Sequence, residues 1–485
     1  MSNLEVTLLL LYFGSLTVLS IYGAHRFVIT TLYYRFRKPF QPKRLFSEEE
    51  LPHVTIQLPV FNERYVLPRL VEAVSKMDYP ADRLEIQILD DSTDETVEIG
   101  RSLAREYQSK GLDVVHLHRT DRTGYKAGAL EEGLKVAKGE FVAVFDADFV
   151  PPADFLRKTI HPFSDDKVGM VQVRWGHLNR DYSWLTKAQG VLLDGHFVVE
   201  HTARFHSGRF FNFNGTAGMW RRSCIHEAGG WQHDTITEDL DLSYRAQLAG
   251  WQFVFLPDVV APAELPVEMN AFRTQQHRWT KGSIETARKL LSRVMKSSLP
   301  SSVKTEAFFH LTANIAYIMI VLLAFLMPMA IYVRVKHGFY YALLADIPFL
   351  LAGTVSLIVY YACSQKEISK HWFRESLLVI PFALTVGVGI SLNNCKAVLE
   401  ALWGHKTGFT RTPKYNVQSK KDSWKSKLYK GHKTLLPWIE FAFAVYFSVA
   451  VGIAVYNKVF SSLPFLVMFQ MGFLYVSLSS LLQRR

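Results

Sequence analysis

Two acidic clusters stand where short apolar runs end, and a third opens a helix. In FVAVFDADF, Asp146 and Asp148 are two residues apart, so continued extended geometry would point both carboxylates to one face. Two oxygen donors of that kind suit one hard cation, Mg²⁺ or Mn²⁺. Such a cation earns its place beside a diphosphate, whose growing charge on departure it stabilises as a Lewis acid. Solvated turn aspartates would look the same. In ILDDSTDE, Asp94 suits a helix cap. Asp90 and Asp91 are placed to accept hydrogen bonds from a base or ribose, although capping and turn formation account for them equally well. In TITEDLDLSYRA, Glu238, Asp239 and Asp241 enter a helix, where the helix dipole favours acids. Asp239 there could also take a proton from an incoming hydroxyl, as an inverting sugar transfer requires.

The elements around these clusters alternate between Pro52 and about Pro300. HVTIQLPV, EIQILD, VVHLHR and FVAVFDAD read as strands, with amphipathic helices from Glu63, after Asp94 and from Ala127. This is an α/β layered sheet, and in such sheets ligands bind outside the carboxyl ends of the strands. No G-x-S-x-G or P-loop occurs. His196, His201 and His206 lie five apart, which is not the i, i+4 facing of an H-E-x-x-H zinc helix.

A chain of 485 residues exceeds one core, and a mean hydropathy of +0.06 with 20% charged residues averages two unlike regions. The three cysteines, Cys224, Cys363 and Cys395, support neither a disulfide framework nor a zinc site. The net charge of +11 lies largely beside apolar runs, where Lys and Arg mark a cytoplasmic face. A membrane is therefore the expected partner, and nucleic acid is not.

Val6 to Ala24 has the length of a span. It is expected to be a retained anchor rather than a cleaved leader. Phe308 to Val333, Ala342 to Ala362, Leu436 to Tyr456 and Leu463 to Leu482 are further spans. Ser376 to Leu402 is as long but carries Asn393, Asn394, Lys396 and Glu400. If it crossed, Lys406, Arg411, Lys414, Lys420, Lys421, Lys425, Lys427, Lys430 and Lys433 would fall outside, against the positive-inside rule. It is laid along the interface instead, which leaves five spans. The alternative is six spans with an external basic loop. The expected organisation is an anchor over 1–34, an α/β domain over 45–300, two spans over 301–363, an amphipathic interface helix and basic loop over 370–434, and two spans over 435–485.

The ordered set LPVFNE, LDDSTD, GYKAGAL, FDADF, FNGTAG, TEDLDL and QQHRW resembles the family 2 glycosyltransferases of the cellulose-synthase superfamily. It is most similar to the cellulose-synthase-like A and C branches that make mannan, glucomannan and the xyloglucan glucan backbone. The resemblance implies a GT-A type nucleotide-sugar-binding domain inserted between transmembrane helices. It implies that Asp146 and Asp148 bind the metal and diphosphate, that Asn62, Glu63, Asp90, Asp91 and Lys126 line the nucleotide site, and that Asp239 is the general base beside Glu238. Phe213 to Gly218, including Gly215, would shape the acceptor pocket. Gln275, Arg278 and Trp279 of the Q-x-x-R-W motif would hold the growing glycan end, the indole under a sugar ring and the polar groups on hydroxyls and phosphate. By itself an Arg-Trp pair before a membrane is more often an interfacial anchor. In GFTRTPKY, Phe409, Thr412, Pro413 and Lys414 resemble a gating loop in which Arg411 replaces a valine.

The activity implied is a membrane-embedded, inverting, processive hexosyltransferase that extends a polysaccharide from GDP-mannose or UDP-glucose with Mg²⁺ or Mn²⁺. Its catalytic domain would face the cytosol. A non-processive synthase with a glycolipid acceptor shares most of the motifs. An inactive scaffold would have no physical need for Asp146, Asp148 and Asp239 together.

Overall fold

The computed structural model describes residues 1–338, 344–406, 408, 411–424 and 434–483. Phe409, Lys425, Lys427, Lys430, Lys433 and the terminal arginines fall outside the described residues. The four strands read from the alternating pattern are present as β1 (Val54–Val60), β2 (Leu84–Asp90), β3 (Asp113–His118) and β4 (Phe141–Val144). They are joined by β5 (Val168–His177), β6 (Gly218–Arg221) and β7 (Gln252–Ala263) in one sheet of order β3-β2-β1-β4-β6-β5-β7. Period-two side-chain alternation builds a core on each face. Along β4, Phe141 and Ala143 join Ile56, Leu58 and Ile86 on one side, while Val142 and Val144 join Leu130, Phe213 and Trp220 on the other.

Strand direction decides where chemistry can gather. β1 is parallel to β2 and β4, and β6 is antiparallel to both β4 and β5. β5 and its parallel neighbour β7 therefore run with β1, and the carboxyl ends of β1, β2, β4, β5 and β7 share one edge. Because β6 is reversed, its amino end, reached through Gly215, arrives at that same edge.

Six helices among the described residues are long and apolar enough to cross a membrane: Asn3–Phe36, Ser301–Lys336, Leu344–Ile368, Trp372–Gly389, Leu436–Tyr456 and Phe460–Leu482. The fourth differs from expectation. The segment read as one interface helix from Ser376 to Leu402 is divided at Gly389 and Ile390 into Val379–Gly389 and Ser391–Leu402. The polar half turns to the α/β domain, where Asn393 Nδ2 donates to the Arg273 carbonyl at 3.1 Å. The apolar half, with Trp372–Phe373 before it, has the composition of a span.

Candidate functional site

Asp146 and Asp148 lie beyond the last residue of β4 in a turn closed by Phe149 N–H donating to the Asp146 carbonyl at 3.1 Å. The extended geometry expected of them stops at Val144, and the turn is what brings both to one cavity of about 190 Å³. Each carboxylate meets an ammonium group. Lys126 Nζ is 2.5 Å from Asp146 Oδ1 and donates to the Gly215 carbonyl at 2.9 Å. Lys414 Nζ is 2.6 Å from Asp148 Oδ1. Burial pushes the Asp146 carboxyl up, but Lys126 and Lys414 outweigh it and hold the group below its usual range. Lys414 is raised in turn, because Asp148 and Glu63 overcome its desolvation.

Across the cavity, Glu238 and Asp239 begin the helix Glu238–Leu248. Burial and the neighbouring Glu238 charge push Asp239 up to about 7, and burial raises Glu238 as well. Gly215, at φ +79°, passes so close that an added Cβ would stand 3.0 Å from Asp239 Oδ2. The helix Met269–Lys296 supplies Gln275, Arg278 and Trp279. Their i, i+3, i+4 spacing puts all three on one face, and all three line the cavity. Trp279 faces Trp175 with ring centroids 6.4 Å apart.

Thr412, Pro413 and Lys414 also line this space. Arg278 Nη2 donates to Thr412 Oγ1 at 2.8 Å. Arg411 donates to the carbonyls of Phe61 and Asn62 and pairs with Glu63 at 3.1 Å. Burial pushes Glu63 up to about 7 against the pull of Lys414 and Arg411. Arg411, noted in the sequence only as a departure from the gating-loop pattern, thus ties the loop to the end of β1.

Three expected site residues lie off the lining. Asp90 is wholly buried, accepting from Ser92 N–H at 2.8 Å and facing His116 Nε2 at 2.9 Å. It braces the β2 end, while Asp91 lines the cavity and holds Arg119 through two bonds of 2.7 and 2.6 Å. Asn62, left-handed at φ 56°, clamps Thr93 N–H through Oδ1 at 2.9 Å. Phe213 is fully buried against Trp220. Glu63, Lys126, Glu238 and Gly215 do line the cavity. Phe409 is outside the described residues.

Arg122, Trp175, His177 and Glu264 also line the cavity without having been singled out. The strand-end rule reaches three of them, since Trp175 and His177 close β5 and Glu264 follows β7. Arg122, stacked over the Phe61 ring at 3.3 Å, left no periodic signal.

Asp146 and Asp148 present hard oxygen donors toward one cavity. Among the described residues no cluster of three or more His, Cys, Asp or Glu side chains forms a full metal cage. That donor set fits Mg²⁺ or a similar ion, which takes one or two carboxylates and completes its shell with water and substrate phosphate oxygens.

A second cavity of about 890 Å³ adjoins the first and runs among the membrane helices. Trp175, Asn214, Asp239, Gln275 and Trp279 border both.

Residues 52–282 match the family described as glycosyltransferase like family 2. Over 252 residues the chain is 46% identical to glucomannan 4-beta-mannosyltransferase 1 of Oryza sativa subsp. japonica, covering 51% of this chain and 48% of that one. Over 270 residues it is 43% identical to glucomannan 4-beta-mannosyltransferase 2 of Arabidopsis thaliana, covering 54% and 50%. The chain thus spans about half the length of the relatives it matches. A solved mannosyltransferase from Pyrobaculum calidifontis, in complex with GDP-Man and Mn²⁺, shares the fold with a TM-score of 0.52 at 20% identity, over 81% of this chain and 100% of that one.

Proposed function

We propose that this chain, whose residues 52–282 form a family 2 glycosyltransferase domain of GT-A-like fold, is a membrane-embedded inverting β-hexosyltransferase that extends a polysaccharide from a nucleotide-diphosphosugar. The single observation that carries this reading is the adjacency of the two cavities, which share Trp175, Asp239, Gln275 and Trp279 in their walls. One gathers the acids and lysines suited to a diphosphosugar, and the other leads from Trp279 into the membrane helices. A growing chain needs both a place to react and a place to go.

In this reading Asp239 accepts the proton of the acceptor hydroxyl as its oxygen bonds to the anomeric carbon. The anomeric carbon's bond to the diphosphate breaks on the opposite face, which inverts the centre. A carboxylate raised to about 7 gains basicity from its burial. Lys126, Lys414 and Arg278 stand where they can balance the leaving diphosphate. Asp146 and Asp148 would hold Mg²⁺ or Mn²⁺, which supplies Lewis-acid stabilisation of that leaving group. Trp279 and Gln275 hold the acceptor end, by stacking and hydrogen bonding respectively. GDP-mannose is the favoured donor over UDP-glucose because the relatives are named as mannosyltransferases.

The loop contacts also bear on membrane topology. Arg411, Thr412 and Lys414 touch the catalytic domain, so residues 282 and 411 lie on one side of the membrane. Three candidate spans intervene: Ser301–Lys336, Leu344–Ile368 and Trp372–Gly389. An odd number of crossings would separate the two sides, so two cross and one does not. Trp372–Gly389 is the least apolar of the three and at 18 residues the shortest. We assign it to the interface, giving five crossings and a cytosolic catalytic domain consistent with the basic loop.

Purified protein given a panel of sugar nucleotides with Mg²⁺ or Mn²⁺ tests the reading through released nucleotide and product length. Polymer from GDP-mannose is expected. A single sugar added to a lipid would replace processive synthesis with glycolipid synthesis, and no transfer from any donor would overturn the enzyme reading.

A further inference from the structure

Residues Gly195–His201, GHFVVEH, are wound as a π-helix between the α-helices Trp184–Asp194 and Thr202–His206. In an α-helix, residues five apart diverge by about 140°. The i→i+5 bonding of a π-helix stacks them instead, and the His196 and His201 rings accordingly lie 4.3 Å apart. π-Helical turns are frequent at functional sites.

Asn214 reaches between these rings. His201 Nε2 is 2.7 Å from Asn214 Oδ1 and 3.1 Å from the Asn212 carbonyl. Asn214 Nδ2 is 2.9 Å from His196 Nε2, and His196 Nδ1 is 3.1 Å from Glu200 Oε2. The Asn212 carbonyl can only accept, so His201 Nε2 carries a proton. That proton also serves the Asn214 amide oxygen and fixes the amide's orientation. The amide nitrogen then donates to an unprotonated His196 Nε2, and His196 Nδ1–H donates to Glu200. Burial keeps both rings neutral, lowering His201 to about 3 and His196 well below its ordinary value.

The relay is anchored in the membrane region. Glu200 pairs with Arg26 of the first span, with Arg204 at 3.2 Å and with the Tyr360 hydroxyl at 3.0 Å. Arg204 pairs with Glu306 at 3.0 Å, and Glu306 with His25 at 2.9 Å. Asn214 itself borders both cavities. An amide nitrogen has two N–H donors, and among the described residues only the one facing His196 has a partner.

The Phe213–Gly218 stretch, to which Asn214 belongs, is expected to shape the acceptor pocket; we propose that His196, held by Glu200, is the positioning residue that fixes which way the Asn214 amide faces, so that its second N–H stays turned to a hydroxyl of the acceptor sugar chain. This rests on the glycosyltransferase reading above. The π-helix would thus link the first membrane span to acceptor recognition, through residues that touch neither donor nor base.

The test measures initial rates with GDP-mannose and a β-1,4-linked manno-oligosaccharide. His196→Phe is expected to raise the acceptor KM about fivefold, the worth of one hydrogen bond, with the donor KM changed by less than about twofold. His196→Gln, whose amide can donate to Glu200 and accept from Asn214, should restore most of the loss. Asn214→Ala combined with His196→Phe should be no worse than Asn214→Ala alone. Parallel rises in donor and acceptor KM, failure of the glutamine to rescue, or multiplying losses in the double variant would each overturn the proposal. A wild-type protein that transfers hexose from neither GDP-mannose nor UDP-glucose would sink the enzyme reading itself, a distinguishable result.

Discussion

Glu440 lies in the first turns of Leu436–Tyr456 and meets the guanidinium of Arg273 on the helix that carries Gln275, Arg278 and Trp279. Both side chains are buried, at 0% and 5% exposure. Met269 N–H also donates to Gln483 Oε1 at 2.7 Å, so the C-terminal membrane hairpin holds the start of that helix. Glu440→Leu leaves a buried guanidinium without its carboxylate, a loss of about 3–5 kcal/mol. Arg273→Met leaves the converse and should cost a similar amount. Replacing both removes the desolvation penalty along with the attraction, so the double variant should be near neutral, or more stable by about 1–4 kcal/mol. The two single losses together should therefore exceed the double loss by at least about 6 kcal/mol. Thermal inactivation midpoints of the purified protein in lipid nanodiscs rank the four forms without assuming two-state unfolding, and transfer rates below each midpoint report whether the helix stays in place. A double variant as unstable as both singles combined would refute the ion-pair reasoning and assign each side chain to separate contacts.

Three further outcomes follow from the site. Asp239→Asn should lower transfer by about 10²- to 10⁴-fold, and wild-type kcat/KM should rise through an acid limb near 7. Because the folded carboxyl is raised from 3.8 to about 7, its stabilising contribution is complete below the lower value and lost as pH rises through the upper. Asp239→Asn should therefore raise the melting midpoint at about pH 8 and leave it nearly unchanged at about pH 4. Gly215→Ala forces a Cβ to 3.0 Å from Asp239 Oδ2 at φ +79°. It should cost about 1–2 kcal/mol of stability and about tenfold in kcat by displacing the carboxylate, as steady-state kinetics would show. Dialysis against a chelator should abolish turnover until Mn²⁺ or Mg²⁺ is restored, and Asp148→Asn should raise the metal concentration giving half-maximal rate. Turnover indifferent to the chelator would remove Asp146 and Asp148 from the metal role.

Much of the framework was legible because its signals are local. Four strands announced themselves by short apolar runs, and the acids beyond β2 and β4 by standing at their ends. The Q-x-x-R-W spacing already implies one helix face. Asp94, read as a cap, accepts from Thr96 N–H at 2.9 Å. The interface segment reads in sequence as one helix, whereas the chain divides at Gly389 and Ile390, and the five-residue spacing of the histidines gives no sign in α-helical geometry of the contact between His196 and His201.

Composition and period determined that this chain has a sheet with acids along its carboxyl edge and several apolar helices, since side-chain alternation and span length depend only on neighbours. Only tertiary structure decided which acids face a common space. Asp90 and Asp91 are adjacent, yet one braces a strand and the other lines the cavity. Lys414 reaches Asp148 across 266 residues, and Glu440 reaches Arg273 across 167. Such pairings are set by strand order, by the reversal of β6 and by the packing of membrane helices against the domain. Spacing along the chain carries no information about them, because the same charges would serve equally well on a solvated surface.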